Sequence, residues 1–250
     1  MNKYRIFLIP VMILSFFFSL FSTGHCSDKK KDCVIAIDAG HSRKRPGAVS
    51  ARGVGEFHFN RNLAELLSRE LVQHGFSQAF LINEKNRNIS LTDRTMTANK
   101  RKADLFISIH HDSVQPRYLS SWTYKGKRQR HCDLFQGYSI FCSEKNGKPE
   151  ESLAFAHLLG EELLGNGFRP TLHHAEKTEG ENRDLLDRKK GIYRFDDLIV
   201  LKKTDMPAVL LECGIILNRE EEILLSNAAY QKKLVLSVIR AVEKFVTCPN

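Results

Sequence analysis

Three apolar runs, each closing on a residue able to do chemistry, constrain this chain more than any other feature. Val34-Ile-Ala-Ile-Asp-Ala-Gly-His41 opens the set, Ala103-Asp-Leu-Phe-Ile-Ser-Ile-His110 repeats its pattern, and Ala208-Val-Leu-Leu-Glu212 ends on a carboxylate. Short continuous apolar runs of this kind read as strands buried on both faces. In a parallel sheet their carboxyl ends lie along one edge, where open α/β folds keep their binding and catalytic groups.

Between these runs the periodicity changes. From about Glu56 to His74, Phe59, Leu63, Leu66, Leu67 and Leu71 recur at helical spacing, and Gly75 follows as a C-terminal stop. Ala79 to Ile82 reads as a strand, and Ser90-Leu-Thr-Asp93 has the form of a capping box opening a helix to about Lys102. Gly137 to Cys142 is a further strand and Ser152 to Leu164 a helix. A last helix over about Ala228 to Val246 carries Val235, Val238, Ile239, Val242 and Val246 on one face. Strands alternating with helices predict an α/β fold: a single domain over 33–247 with a mostly parallel or mixed central sheet and helices on both faces. The polar segments 112–136 and 169–197 lack periodic signals and are expected to be long loops over the site.

Residues 1–26 have the form of a secretory signal peptide: Lys3 and Arg5, an apolar stretch from Ile6 to Phe21, then small residues. The stretch contains Pro10 and is shorter than the about 20 apolar residues a spanning helix takes. Export with cleavage, and no stable membrane insertion afterwards, is therefore expected; retention through an uncleaved N-terminal segment is the alternative. Six cysteines in an oxidising compartment allow 15 complete pairings, which the sequence does not choose between. Cys33 with Cys248 would tie the two termini, and Cys132 and Cys142 flank a conceivable hairpin. With no C-x-x-C pair, a cysteine-based zinc site is not expected. The net charge of +9 falls to about +7 without Lys3 and Arg5. Outside the cytoplasm such a charge suits anionic wall polymer or lipid headgroups and gives no reason to expect nucleic acid.

His41, His110, Glu212 and Glu56, near the start of the helix after the first strand, could meet at the sheet edge although far apart in sequence. Two neutral imidazoles and a carboxylate suffice for a three-ligand zinc site, and a second carboxylate can take a proton from water. One histidine at a strand end is ordinary edge chemistry; the conjunction carries the weight. A carboxylate closing Ala-Val-Leu-Leu is costly to bury without a cation or several donors.

Ile37-Asp-Ala-Gly-His41, Pro46-Gly-Ala48, Gly55-Glu56, Leu91-Thr-Asp-Arg94, Ala98-Asn99, Ala103 to His110, and Pro207-Ala-Val-Leu-Leu-Glu-Cys-Gly214 followed by Asn218 closely resemble the motifs of the zinc-dependent N-acetylmuramoyl-L-alanine amidases of bacterial cell walls. The resemblance runs from about Val34 to Val246 with the motifs in the same order. It implies zinc (Zn2+) held by His41, Glu56 and His110, with Glu212 as the catalytic carboxylate. The substrate and partner it implies is peptidoglycan, cut between N-acetylmuramic acid and L-alanine in the periplasm or cell envelope. A zinc carboxypeptidase or other envelope metallopeptidase, and a non-catalytic wall-binding protein, are the rival readings. No separate wall-binding repeat is evident, so a monomer targeted by its own loops, or by an unknown protein activator, is expected.

Some residues depart from that family pattern or add to it. His111-Asp112 stands where Ala-Asn is usual, and successive strand residues face opposite ways, so His111 is not expected to share a metal with His110. Asp38 and Arg94 are candidates to hold the other ring nitrogen of a metal-bound imidazole. His173-His174, with Glu176, Glu179 and Glu181 nearby, forms a rival metal cluster, a part of the substrate cleft or a polar loop. Trp122, Tyr118 and Tyr124 suit sugar stacking, or the small core of a lid, and Arg43-Lys44-Arg45 could attract carboxylates or simply be solvated.

Overall fold

The computed structural model describes residues 29–247. The N-terminal segment read as a signal peptide, Cys26 and Cys248 lie outside the described residues, and with them the Cys33–Cys248 pairing.

A seven-stranded mixed sheet forms the centre. In chain order the elements are β1 (Ile35–Ala39), α1 (Glu56–Gln73), β2 (Phe80–Leu81), α2 (Leu91–Lys100), β3 (Leu105–Asp112), β4 (Ser120–Tyr124), β5 (Lys127–His131), β6 (Ser139–Cys142), α3 (Pro149–Gly165), β7 (Asp184–Asp187), β8 (Ile192–Arg194), α4 (Ile199–Lys202), β9 (Ala208–Ile215), α5 (Glu221–Leu225) and α6 (Ala228–Thr247). The strand order is β2-β1-β3-β9-β6-β8-β7. The pairs β2–β1, β1–β3 and β3–β9 are parallel, β6 runs antiparallel to β9, and β7 antiparallel to β8. Thus β1, β3 and β9 are neighbours that end at the same edge, as the three apolar runs require.

Strand alternation sorts the core into two layers. Ile35, Ile37, Leu105, Ile107, Val209 and Leu211 face α1, α3 and α6 in one cluster. Ala36, Phe106, Ala208 and Leu210 face the other way, toward Ala98 of α2 and Val200 and Leu201 of α4. Leu63, Leu67 and Leu71 of α1 are fully buried, and each contributes on the order of 1.5–3 kcal/mol by leaving water. Helix α1 stops where Gly75 enters the left-handed region at φ 97°. There the N–H groups of Gly75 and Phe76 bond back to the carbonyls of Val72 and Leu71, the double closure of a Schellman motif. Helix α2 begins in the anticipated capping box, with Asp93 N–H donating to Ser90 Oγ and Ser90 N–H to Asp93 Oδ2, both at 3.0 Å.

Three expectations are corrected. Segment 112–136 is not irregular: it carries the β4–β5 hairpin, turned through Lys125 and Gly126 with left-handed φ values of 49° and 73°. Segment 169–197 supplies β7 and β8, the far edge of the central sheet. Polar alternation in both hid strands too short to show a pattern. Cys132 and Cys142 do not flank a hairpin, because β6 joins the central sheet; Cys33, Cys132, Cys142 and Cys213 are all buried free thiols. No helix among the described residues is long and apolar enough to cross a membrane.

Candidate active site

The sheet edge brings the four far-separated residues together by register. His110 of β3 lies directly beside Glu212 of β9. Both stand at even spacing from Phe106, Ala208 and Leu210 of the α2/α4 layer, so their side chains share that face. His41 follows β1 by two residues and adopts φ 65°, a left-handed turn that stops the strand and swings the ring toward α1. Glu56 is the first residue of α1, where a carboxylate meets the positive end of the helix dipole.

Glu56 is the hub. Its Oε2 lies 3.0 Å from His41 Nε2 and accepts from the Ala48 N–H at 3.1 Å. Its Oε1 lies 3.0 Å from His110 Nδ1 and accepts from Asn60 Nδ2 at 2.9 Å and the His111 N–H at 3.3 Å. Burial pushes the Glu56 carboxyl up, but hydrogen bonds and charge from His110 and His41 outweigh it and hold the group well below the usual carboxylate range. One ligand atom from each of His41, Glu56 and His110 lies within 4.8 Å of the others.

The surroundings fit a divalent metal. Two imidazole nitrogens and a carboxylate oxygen are a transition-metal donor set, and ligands about 2.0–2.1 Å from a tetrahedral centre sit about 3.3 Å apart, close to the 3.0 Å seen here. Backbone is wrapped tightly around that set: a Cβ on Gly40 would fall 2.2 Å from His110 Nε2, and one on Gly47 would fall 2.4 Å from Glu56 Oε2. Glu212 is partly open, yet its Oε2 is shielded from solvent and has no hydrogen-bond partner. Enclosure, together with the negative charges of Asp112 and Glu56, pushes this carboxyl well above its ordinary range.

Asp38 and Arg94 are placed differently from expectation. Arg94 Nη1 donates to Asp38 Oδ1 and to the Ala39 carbonyl, each at 2.6 Å, and Nη2 donates to the His41 carbonyl. Ser108 Oγ donates to Asp38 Oδ2 at 2.9 Å. The pair therefore braces the left-handed main chain at His41 and touches neither imidazole ring. His111 points to the other face, as alternation demands. Its Nδ1 lies 2.8 Å from Asn60 Oδ1, and burial pushes its pKa down to about 3, so the ring is neutral and donates to Asn60.

Beside His41 and His110 opens a cavity of about 670 Å³. Arg45, Asn88 and Asp93 supply polar groups to its wall, and Leu198, Ile199 and Leu210 an apolar side. Trp122 and Tyr124 lie outside it: they stack at 5.4 Å, with Arg52 over both rings and Trp122 Nε1 donating to the Ala51 carbonyl. The hairpin thus has its own small aromatic packing.

His173 and His174 gather around Asp112 as a second cluster, and Glu181 alone of the three nearby glutamates joins it. Glu176 instead accepts from Tyr118 Oη, and Glu179 is exposed. The sequence reading missed Asn60 and Asp112. Asn60 was findable, standing one helical turn after Glu56 on the same face.

Comparison with known proteins bears on the fold and the family. An N-acetylmuramoyl-L-alanine amidase of Clostridium difficile covers 88% of the chain, and the chain all of it, at a TM-score of 0.68 and 21% identity. The amidase AmiC2 of Nostoc punctiforme covers 86%, with 98% of its own length, at 0.64 and 23%; these establish the fold. In sequence, N-acetylmuramoyl-L-alanine amidase AmiA of Escherichia coli is 28% identical over 238 residues, 88% of this chain and 80% of the relative. A probable N-acetylmuramoyl-L-alanine amidase AmiB of Haemophilus influenzae is 28% identical over 255 residues, and the match spans 92% of this chain but only 56% of that relative's length. The model of the N-acetylmuramoyl-L-alanine amidase family matches residues 35–244; the chain belongs to that family.

Proposed function

We propose that the protein is an exported zinc amidase that hydrolyses the amide between N-acetylmuramic acid and the L-alanine of the peptidoglycan stem peptide. The observation that carries this reading is the meeting of His41, Glu56 and His110 within 4.8 Å, beside a Glu212 whose Oε2 is enclosed and unpaired. His41, Glu56 and His110 would hold the ion, and zinc bound there would supply Lewis-acid activation of water and of the scissile carbonyl.

The protein's own groups do the rest. Glu212 takes the proton of the attacking water on Oε2 and returns it to the departing amine of L-alanine, which leaves poorly unless protonated. A carboxyl raised by enclosure holds a proton more firmly than a free one, which suits it to carry the proton from water to amine. Asn60 and the His111 N–H fix Glu56, while Arg94 fixes the turn at His41, so the imidazoles and carboxylate are pre-set before substrate arrives. The adjoining cavity, with its polar and apolar walls, receives the lactyl-peptide junction. The basic start and apolar stretch before Cys26 support export to the periplasm or cell envelope.

The test is Glu212→Gln. The variant is expected to keep its zinc and lose about 10²–10⁴-fold in wall solubilisation. Mass spectrometry of parental digests should show new L-alanine amino termini on released peptides and intact glycan strands. Solubilisation by Glu212→Gln at the parental rate would refute the assigned proton carrier. Cuts confined to the stem peptide would point to a metallopeptidase, and binding to sacculi without zinc-dependent release to a wall-binding protein.

A further inference from the structure

Two residues beyond His110 on β3, Asp112 turns a single carboxylate oxygen toward two histidines from a segment some sixty positions later. His174 Nε2 stands 2.8 Å from Asp112 Oδ2, and His173 Nε2 stands 3.5 Å from the same atom. Each ring is fixed from behind. His174 Nδ1 lies 2.8 Å from Glu181 Oε2, and His173 Nδ1 lies 2.9 Å from Thr171 Oγ1. Thr171 is itself locked, its N–H donating to the Tyr138 carbonyl and its carbonyl accepting from Tyr193 Oη.

The chemistry of these contacts asks for a proton or a metal ion. A neutral His174 that donates from Nδ1 to Glu181 has only a lone pair on Nε2, which would face an anionic oxygen; a proton on Nε2 would satisfy that contact but would leave His173 Nε2 without a partner. His173 Nε2 is the more telling atom: its side chain is 1% exposed, the nitrogen has no hydrogen-bond partner, and it aims at the same oxygen. Asp112 is buried and the Glu181 side chain largely enclosed; Asp112 Oδ1 accepts from the Ser113 N–H at 2.7 Å and Glu181 Oε1 from Gln115 Nε2 at 2.9 Å, but among the described residues no lysine or arginine pairs with either. Enclosed carboxylates without a cationic partner carry a desolvation cost that neutral donors offset only in part. Imidazoles backed by a carboxylate on the far nitrogen are the usual way proteins orient histidine toward a metal. Separations of 2.8 and 3.5 Å bracket the about 3.3 Å between ligands of a tetrahedral ion.

We propose that Asp112, His173 and His174 form a second divalent-cation site of zinc type, distinct from the His41, Glu56 and His110 cluster and oriented by Thr171 and Glu181. A metal there would pin the segment carrying β7 and β8 to the catalytic edge of β3, next to Glu212. The inference rests on its own residues and does not require the proposed amidase activity.

Metal content of the full chain, equilibrated with excess zinc and then desalted, tests it. Two zinc ions per chain are expected, falling to one in His174→Ala, to one in His110→Ala and to none in the double variant. If the parent holds one ion that His110→Ala abolishes and His174→Ala retains, the second site is overturned, a proton alone serving between Asp112 and His174. If the parent holds one ion that His174→Ala abolishes and His110→Ala retains, the second site stands and the zinc of the proposed active site fails. Should His174→Ala lose both ions by misfolding, Thr171→Val decides. Chelator competition should show its second ion weakened 10–100-fold with the first unchanged; unchanged affinity for both ions would overturn the site.

Discussion

Gly47→Ala tests the proposed metal site through backbone geometry alone. Gly47 has φ 76°, where an alanine side chain costs about 1–2 kcal/mol. The new Cβ would lie 2.4 Å from Glu56 Oε2 and 2.7 and 2.8 Å from His41 Cδ2 and Nε2. Ordinary contact begins near 3.4 Å, so carboxylate and ring must each retreat by roughly 0.6–1 Å, against a ligand tolerance of about 0.2 Å. Overpacking adds about 1–3 kcal/mol. Gly126→Ala is the matched control: φ is 73°, but nothing lies within 4 Å of the added carbon. Urea unfolding in chelator should show a loss of about 1–2 kcal/mol for Gly126→Ala, or about 2–8 °C in Tm, and about 2–5 kcal/mol for Gly47→Ala. Zinc affinity by chelator competition should drop at least about 100-fold in Gly47→Ala and stay parental in Gly126→Ala. Affinity within about threefold of the parent in Gly47→Ala, or equal weakening in both variants, would show that Glu56 and His41 do not hold the ion.

Arg94→Met leaves Asp38 buried without its cation and should cost about 3–5 kcal/mol, with Asp38→Asn/Arg94→Met less unstable than the sum of the singles; a loss under about 1 kcal/mol in urea would mean that the pair does not brace the turn. Burial, with Asp196 and Glu144 adding negative charge, pushes the Cys142 thiol up to about 12. At pH 8 only about one thiol in ten thousand is ionised there, so peptide-resolved alkylation should leave Cys142 unmodified until the protein unfolds, and rapid labelling of the native state would contradict its burial. The same shift has a stability sign: the folded pKa exceeds the unfolded value of 9.0. The stabilisation is therefore full below pH 9 and lost toward pH 12, at about 1.4 kcal/mol per pH unit. Cys142→Ala should flatten that part of the stability curve, and an unchanged slope would assign it to other groups.

Much of the fold was legible because its signals are local. Apolar runs at Ile35–Ala39, Leu105–Asp112 and Ala208–Ile215 are buried on both faces, and α1 shows its period and its glycine stop within twenty residues. The β7 and β8 strands were not legible, since Asp184-Leu-Leu-Asp187 and Ile192-Tyr-Arg194 are too short and too charged to display alternation. Arg94 stood out in the sequence through its motif, but only packing could reveal that it serves the main-chain carbonyls of Ala39 and His41 instead of a ring nitrogen.

By itself the sequence determined which residues could take part: the strand-ending histidines and glutamate, the helix-opening Glu56, and the order of motifs that places the chain in its family. Tertiary structure alone decided who meets whom. Strand register set His110 beside Glu212, and a left-handed turn aimed His41 at Glu56. The chain's return to the sheet edge carried His174 across 62 positions to Asp112. Periodicity is a property of a few consecutive residues, whereas register and burial are settled by the whole core at once, so residue types are written locally and their encounters are not.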